Sequence, residues 1–523
     1  MARRIRCQPS AGARLYARRR FRFRGASVQG RIRPLIFLPP GVGSGGPHIL
    51  RETPMNAAAS AVGPGAIVGL VIGIVLLIFL VLRTKIHAIV ALVIAASIAG
   101  LSAGMAPDAV VRSITTGFGS TLSTIGLVIG FGVMMGRILE ISGAAEKLAI
   151  TLVRWLGEKK EEWAMMATGY IVSIPIFCDS AFVILNPLVR ALARNTGRSV
   201  LTLGMALAGG LMLTHHAVPP TPGPLGAAGI FNVDIGLMIF WGVVLTLPAT
   251  FTIILYARAM GPRIEAMIVQ DTGEALSGSG AFEEFKQDAA VREKELPPLW
   301  LSMLPIVVPI LLIFINTVVA GFVAASGDKA LAAHPLVQIC AFIGNPVIAV
   351  GLGVVIAVYG LAGKLSRHDT TAELEKGIEA AGIIMLVTGA GGALGAVLRD
   401  SGTGTYIGQW VATLPLPAVL IPFVIATLVR LIQGSGTVAM ITGASISAPI
   451  LAQIPDVNLV FAAQAASIGS MVFGYFNDSY FWVINRILGV KSAKHQMLTW
   501  SIPSTIGWAT CLVTLLVANA IFG

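Results

Sequence analysis

Charge is what this chain has least of. Asp, Glu, Lys and Arg make up 12% of its 523 residues against 55% hydrophobic ones, and the mean hydropathy is +0.82. A soluble globular protein, whose surface needs charge, does not have that balance. Cysteine is scarce too: Cys7, Cys178, Cys340 and Cys511 stand apart with no CxxC spacing, which removes a disulfide framework and a thiolate zinc site. A Walker loop, a Rossmann fingerprint, a GxSxG elbow and metal-ligand spacing are all missing where they would need to be. No cofactor, metal or catalytic residue is therefore expected, and uphill work must draw on an ion gradient.

Apolar runs of about 20 residues, the length that crosses a bilayer, recur along nearly all of the chain, for example at 65–82, 235–257 and 303–325. They predict an all-α polytopic membrane protein with spans at 65–83, 86–106, 121–139, 199–218, 235–257, 300–325, 336–361, 378–398, 457–474 and 497–521. Two apolar stretches, 163–189 and 414–453, are broken by Gly, Pro, Ser and Asp. The first is too short to cross twice, so a re-entrant hairpin fits best. Residues 258–299 read as a cytoplasmic connecting loop between a first membrane half, 55–257, and a second, 300–523.

The formal charge of +12 sits almost entirely in residues 1–54, which hold 12 Arg and one acid, Glu52. A transit peptide or a nucleic-acid arm has that composition. However, "MNAAASAVGPGAIVGL" at Met55 reads as a start of translation just before the first span, with 1–54 an over-extended leader. No nucleic-acid partner is expected; the bilayer is.

Lys and Arg in short loops favour the cytoplasm. Arg83 and Lys85 put the loop after the first span inside, as do Arg137, Lys147 and Arg154 after the third and Arg190, Arg194 and Arg198 after the first hairpin. The corresponding stretch of the second half, 443–458, has no Lys or Arg. Both mature termini then lie on the outer side of the inner membrane, and the halves have opposite topology. Sequence similarity agrees: "GRILEISG" (136–143) matches "GAVLRDSG" (395–402) at four of eight positions, an offset of 259. Inverted repeats of about five spans plus one hairpin are the plan of many secondary transporters, with the site at the repeat interface. Small-residue runs such as "GAGGALGAV" (389–397) permit close helix packing, within one chain or between two.

Non-helical backbone at membrane depth is tolerated only where protein or a water-filled cavity satisfies it. The hairpin tips therefore predict a cavity lined by Asp179 and Ser180 on one side and by Gln433, Gly434, Ser435, Gly436 and Thr437 on the other. A helix starting after each tip would aim N–H groups and its positive dipole end at an anion, a seat for a carboxylate. An Asp inside the membrane is a functional candidate, and Asp179 could bind and release a proton. "THHAVPPTPGP" (214–224) breaks a span just after His215 and His216 and adds Thr214, His215 and Thr221. "YFNDSYFW" (475–482), at the matching place, adds Asn477, Asp478 and Ser479.

Together and in order, "GFGSTLSTIGLVIGFGVMMGRILEISGAAEKLA" (117–149), "PIFCDSAFVIL" (175–185), "HHAVPPTPGP" (215–224), "QGSGTVAM" (433–440) and "NDSYFW" (477–482) resemble the gluconate permease family of proton-coupled symporters, within the ion transporter superfamily. The resemblance covers about residues 62–522. It implies uptake of gluconate or a related sugar acid with a proton, through Asp179, His215, the Gln433–Thr437 tip, Asn477 and Asp478. The family pattern usually has PPHPGP where this chain has Thr221, and an apolar residue in place of Ser180. Glycerate, D-serine or citrate-like carboxylates are alternative substrates, and sodium an alternative coupling ion. A cation/proton antiporter, or an intramembrane enzyme pairing Asp179 with Asp478, are the readings from other classes.

Overall fold

The computed structural model describes residues 64–84, 86–156, 159–272, 295–406, 417–475 and 478–523. The leader, the start at Met55 and most of the predicted connecting loop lie outside the described residues.

The described chain is helical from end to end. Helices α1 (Pro64–Arg83), α2 (Ala88–Ser102) and α3 (Pro107–Ile141) lead into α4 (Ala144–Leu156) and a hairpin of α5 (Glu161–Val172) and α6 (Cys178–Thr196). Next come α7 (Val200–Ala217), α8 (Pro222–Phe231) and the long α9 (Ile235–Thr272). The remainder holds α10 (Leu299–Ser326), α11 (Lys329–Ala332), α12 (Pro335–Ile343), α13 (Pro346–Leu361) and α14 (Arg367–Asp400). A second hairpin, α15 (Leu420–Gln433) and α16 (Gly436–Leu451), precedes α17 (Leu459–Gly469), α18 (Ser479–Leu488) and α19 (Ala493–Gln496). A π-helical turn, Met497–Ser501, runs into α20 (Ile502–Phe522). Among the described residues, six helical segments are long and apolar enough to cross a membrane, and α12 with α13, bent by 62°, makes a seventh.

Five boundaries differ from the sequence-based expectation, one of them the start of α14, which lies at Arg367 rather than near 378. Helix α3 begins at Pro107 rather than near 121, because Ser113, Gly117 and Thr121 face α14 and are too polar to register as membrane-spanning. Predicted span 336–361 is bent where Asn345 caps α13 by accepting from the Val347 N–H at 3.0 Å. Helix α9 continues to Thr272, well into the predicted loop, since Ile264 and Ile268 keep its apolar face buried. Span 457–474 stops being helical at Gly469.

Helices α3 and α14 lie side by side and antiparallel. Ser113 Oγ donates to Asp400 Oδ2 at 2.7 Å near one end, and Arg137 Nη2 pairs with Glu373 Oε2 at 2.6 Å near the other. Shifted by 259 residues, α3 falls on α14 to within one residue at both ends. The matching octapeptides are the two helix stops: Ser142 and Ser401 are C-caps, and Gly143 and Gly402 follow with φ of 76° and 74°.

The hairpins turn back on themselves. Glu161 and Glu162, which open α5, meet Arg198, which follows α6, at 3.5 and 3.7 Å, and Arg258 of α9 joins Glu162 at 3.4 Å. The two ends of the first hairpin thus lie together. Helix α7 is almost wholly wrapped by protein. It crosses α5 at Gly169 and Gly210, where an added Cβ would come within 2.4 Å of the Leu207 carbonyl oxygen and 2.2 Å of that of Met166, so the backbones themselves form the contact. At the other extreme, α10 exposes Leu311, Phe314, Ile315, Val318 and Phe322, a surface suited to lipid tails.

Candidate functional site

Three helices begin at one place. Pro175 and the extended Phe177 hold the chain out of helical geometry until α6 starts at Cys178. Gly434 stops α15 by taking a left-handed φ of 85°, and Ser435 then caps α16, its Oγ accepting from the Val438 N–H at 3.4 Å. Asp478 caps α18 through Oδ1, which accepts from the Tyr480 N–H at 3.2 Å. Between these helix starts lies a cavity of about 340 Å³. The end of α7 supplies Met212, His215 and His216 to its wall, α15 supplies Arg430, and the π turn supplies Trp500.

The wall is polar and tightly arranged. Arg430 Nη2 meets Asp478 Oδ2 at 2.6 Å, and both side chains are buried. Ser479 Oγ donates to Asp179 Oδ2 at 3.2 Å. His216 packs its Nε2 face on the second hairpin so closely that a Cβ on Gly436 would lie 2.3 Å from that nitrogen, which is why the helix opens on glycine. Four wall residues carry a buried polar atom with no partner among the described residues: Asp179 Oδ1, His215 Nδ1, Arg430 Nε and Trp500 Nε1. Buried polar atoms are nearly always paired, so these four, gathered on one wall, are available to whatever fills the cavity.

The helix breaks near the cavity are patched from elsewhere in the fold. Gln464 Nε2 on α17 donates to the carbonyls of Ala217 and Met238 at 3.0 and 2.7 Å, closing the end of α7. In the longer break between α17 and α18, the Gly474 N–H donates to Ser504 Oγ at 3.1 Å and Ser501 Oγ donates to the Gly474 carbonyl at 2.6 Å. The Tyr475 hydroxyl donates to the Leu431 carbonyl.

Of the residues singled out from sequence, Asp179, His215, Gly434, Ser435, Thr437, Asp478 and Ser479 come together on this wall. Thr214 and Thr221 do not line it: their hydroxyls donate to the carbonyls of Gly210 and Val218 at 3.3 and 2.7 Å and steady the broken helix. Ser180 follows Asp179 on α6 but is not part of the wall either. The Gln433 side chain and Asn477 lie outside the described residues. Sequence reasoning missed Arg430, Tyr480 and Trp500. Arg430 did leave a signal, as the one charged residue in the apolar run 417–432. Trp500 left none, because nothing local ties it to the tips.

A profile described as GntP family permease matches residues 66–521. The chain belongs to that family. As a GntP family permease it is a multi-pass membrane transporter. Its sequence is 56% identical over 420 residues to an uncharacterised permease of Haemophilus influenzae, covering 80% of this chain and 85% of that one. It is 32% identical to a high-affinity gluconate transporter of Escherichia coli, covering 80% and 91%, and 31% identical to a gluconate permease of Pseudomonas aeruginosa, covering 80% and 89%. Among solved structures, Neisseria gonorrhoeae MtrF, from a class of antimetabolite efflux pumps, aligns with a TM-score of 0.58 at 15% identity over 85% of this chain and 97% of that one. The Alcanivorax borkumensis YdaH transporter aligns with a TM-score of 0.51 at 15% identity over 88% and 99%. At that identity the likeness concerns the fold of this GntP permease alone.

Proposed function

We propose that the cavity is the shared substrate and proton site of a symporter that imports gluconate or a related small hydroxy-carboxylate. The observation that carries this reading is the convergence of the α6, α16 and α18 helix starts with Arg430 on one small polar cavity. Helix starts and a guanidinium attract a carboxylate, while Ser435, Thr437 and Ser479 suit hydroxyls. A volume of about 340 Å³ is at the small end of the range for ligand pockets.

The coupling follows from charge. Arg430 and Asp478 cancel, so an ionised Asp179 leaves the cavity with one negative charge beside an incoming anion. A proton on Asp179 removes that repulsion. Proton and anion therefore favour each other's binding, and linkage makes the effect reciprocal, typically 5–150-fold. The pairing of Asp478 also leaves a single carboxylate for a bare cation, which favours a symporter over an antiporter.

In this reading the two halves are inverted repeats, supported by the antiparallel α3 and α14 and their shared boundaries. The end of the molecule with Arg137, Arg198, Arg258 and Lys364 faces the cytoplasm.

The test is uptake of labelled gluconate by proteoliposomes under an inward proton gradient, with unlabelled glycerate, D-serine, citrate and sugar acids as competitors. Gradient-driven uptake is expected, with apparent affinity falling as pH rises and that pH dependence flattened in Asp179→Asn. Uptake that ignores a protonophore but needs sodium would replace the proton; no uptake of any of these acids would remove the substrate class.

A further inference from the structure

Trp500 occupies an unusual position. It is 1% exposed, and its ring packs edge-on against Tyr480 with centroids 5.0 Å apart. It sits in the π turn Met497–Ser501, a wide turn that locally interrupts the α-helical ladder, as such turns often do at functional sites. Its Nε1 has no hydrogen-bond partner among the described residues. An indole N–H can only donate, and a buried one normally has an acceptor.

The nearest features to that nitrogen are informative. The position that a Cβ on Gly474 would occupy lies 2.7 Å from Trp500 Nε1 and 2.8 Å from Asp478 Oδ2. Glycine at 474 thus leaves an unused donor and a carboxylate oxygen both within 2.8 Å of one point that any side chain there would fill, so the two atoms are at most about 5.5 Å apart. They do not bond each other, and Oδ2 is already fixed by Arg430. Two hydrogen bonds of about 2.8 Å suffice to bridge such a gap. The bridging group must accept from the indole and donate to the carboxylate. A hydroxyl does both, as does a water that a substrate hydroxyl can displace; a carboxylate, a methylene or a cation does not.

We propose that Trp500 and Asp478, with Gly474 between them, form a reader for one substrate hydroxyl, so that Trp500 sets the preference for a hydroxylated acid over its deoxy counterpart. This rests on the cavity being the substrate site. It assigns distinct tasks within the cavity: Arg430 and the helix starts hold the carboxylate, Asp179 carries the proton, and Trp500 tests the carbon chain. It also gives the π turn a purpose, since the widened turn is what presents the indole at the break between α17 and α18.

The experiment measures ligand-induced thermal stabilisation of the purified full chain in detergent. Gluconate, glycerate and lactate are compared with the monodeoxy gluconates, 3-hydroxypropionate and propionate, for the parent, Trp500→Phe and Gly474→Ala. Phenylalanine keeps the aromatic packing and removes the donor. Alanine at 474 drives a methyl against both polar atoms. The parent is expected to bind one hydroxy acid about tenfold more tightly than the analogue lacking the hydroxyl that is read. In both variants that ratio should collapse toward one, with the deoxy analogue bound as in the parent. An equal loss for every acid, with the ratio intact, would make Trp500 merely structural and overturn the inference alone, as would parental discrimination in either folded variant. A parent that binds none of the acids would overturn this inference together with the substrate class.

Discussion

At the scale of single residues, Arg430 and Asp478 decide how the site is assembled. Removing one partner of a buried ion pair leaves an uncompensated charge, at a cost of about 3–5 kcal/mol, whereas replacing both by apolar groups is often neutral. Arg430→Met is accordingly expected to lower thermal stability strongly, and Arg430→Met with Asp478→Leu to recover it except for about 1 kcal/mol lost with the α18 cap, while anion binding stays lost. Denaturation curves and ligand-binding assays on the two variants separate the outcomes; full transport by the double variant would show that the pair only holds α15 to α18. Asp179, His215, Asp478 and Ser479 were legible because charged and polar side chains stand out in apolar sequence. Thr214, Thr221 and Ser180 looked equally suitable, yet two of them bond to the backbone of their own broken helix. A hydroxyl in a membrane segment serves a ligand or a neighbouring carbonyl, and only its neighbours in space decide which.

At the scale of elements, the helix breaks were predictable from Gly and Pro, but the groups that make them affordable were not. Gln464 lies in an unremarkable apolar helix, 247 residues from the Ala217 carbonyl it satisfies. Replacing it by Leu takes the donor from the Ala217 carbonyl at the end of α7, whereas the Met238 carbonyl keeps its place in the α9 ladder, and a loss of roughly 1–3 kcal/mol is expected. Heat-denaturation midpoints of the purified variant check this, with Gln464→Glu as the companion that keeps the size but loses the donors. An unchanged midpoint in Gln464→Leu would mean that the end of α7 is satisfied by other means. The existence of the hairpins, in contrast, could be read from the residue counts, although the first runs to Thr196 rather than to 189. A 12-residue α5 spans about 18 Å at 1.5 Å per residue and cannot cross a hydrocarbon core of about 30 Å.

At the scale of the whole molecule, polar ties sort to two ends. Arg137–Glu373, Lys364 with the Glu295 carbonyl, and Asp271–His495 mark one end. Ser113–Asp400, Asp234 with Thr317, and Asn458 with the Phe522 carbonyl mark the other. The first end is the one to which the Lys and Arg count assigned the cytoplasm. A single Cys at Asp328 should react with an impermeant maleimide on intact cells, and one at Lys364 only after permeabilisation; the reverse pattern would invert the proposed orientation. The overall architecture was readable because hydropathy and loop charge act over whole segments, whereas the long α3 was shortened in prediction by its polar face toward α14.

The enclosure of α7 bears on how the protein is made. Of the six long apolar segments, Val200–Phe231 is the least apolar and the most enclosed, while α10 is the most apolar and the least enclosed. Lipid alone gives a segment rich in Gly, Thr, His and Pro less reason to enter a membrane than it gives the other five, and its neighbours α9 and α17 are synthesised after it. Complete enclosure of α7 therefore waits on chain made later: α5 and α6 are there to receive it, but the ribosome delivers the segment before α9 and α17 exist to close over it.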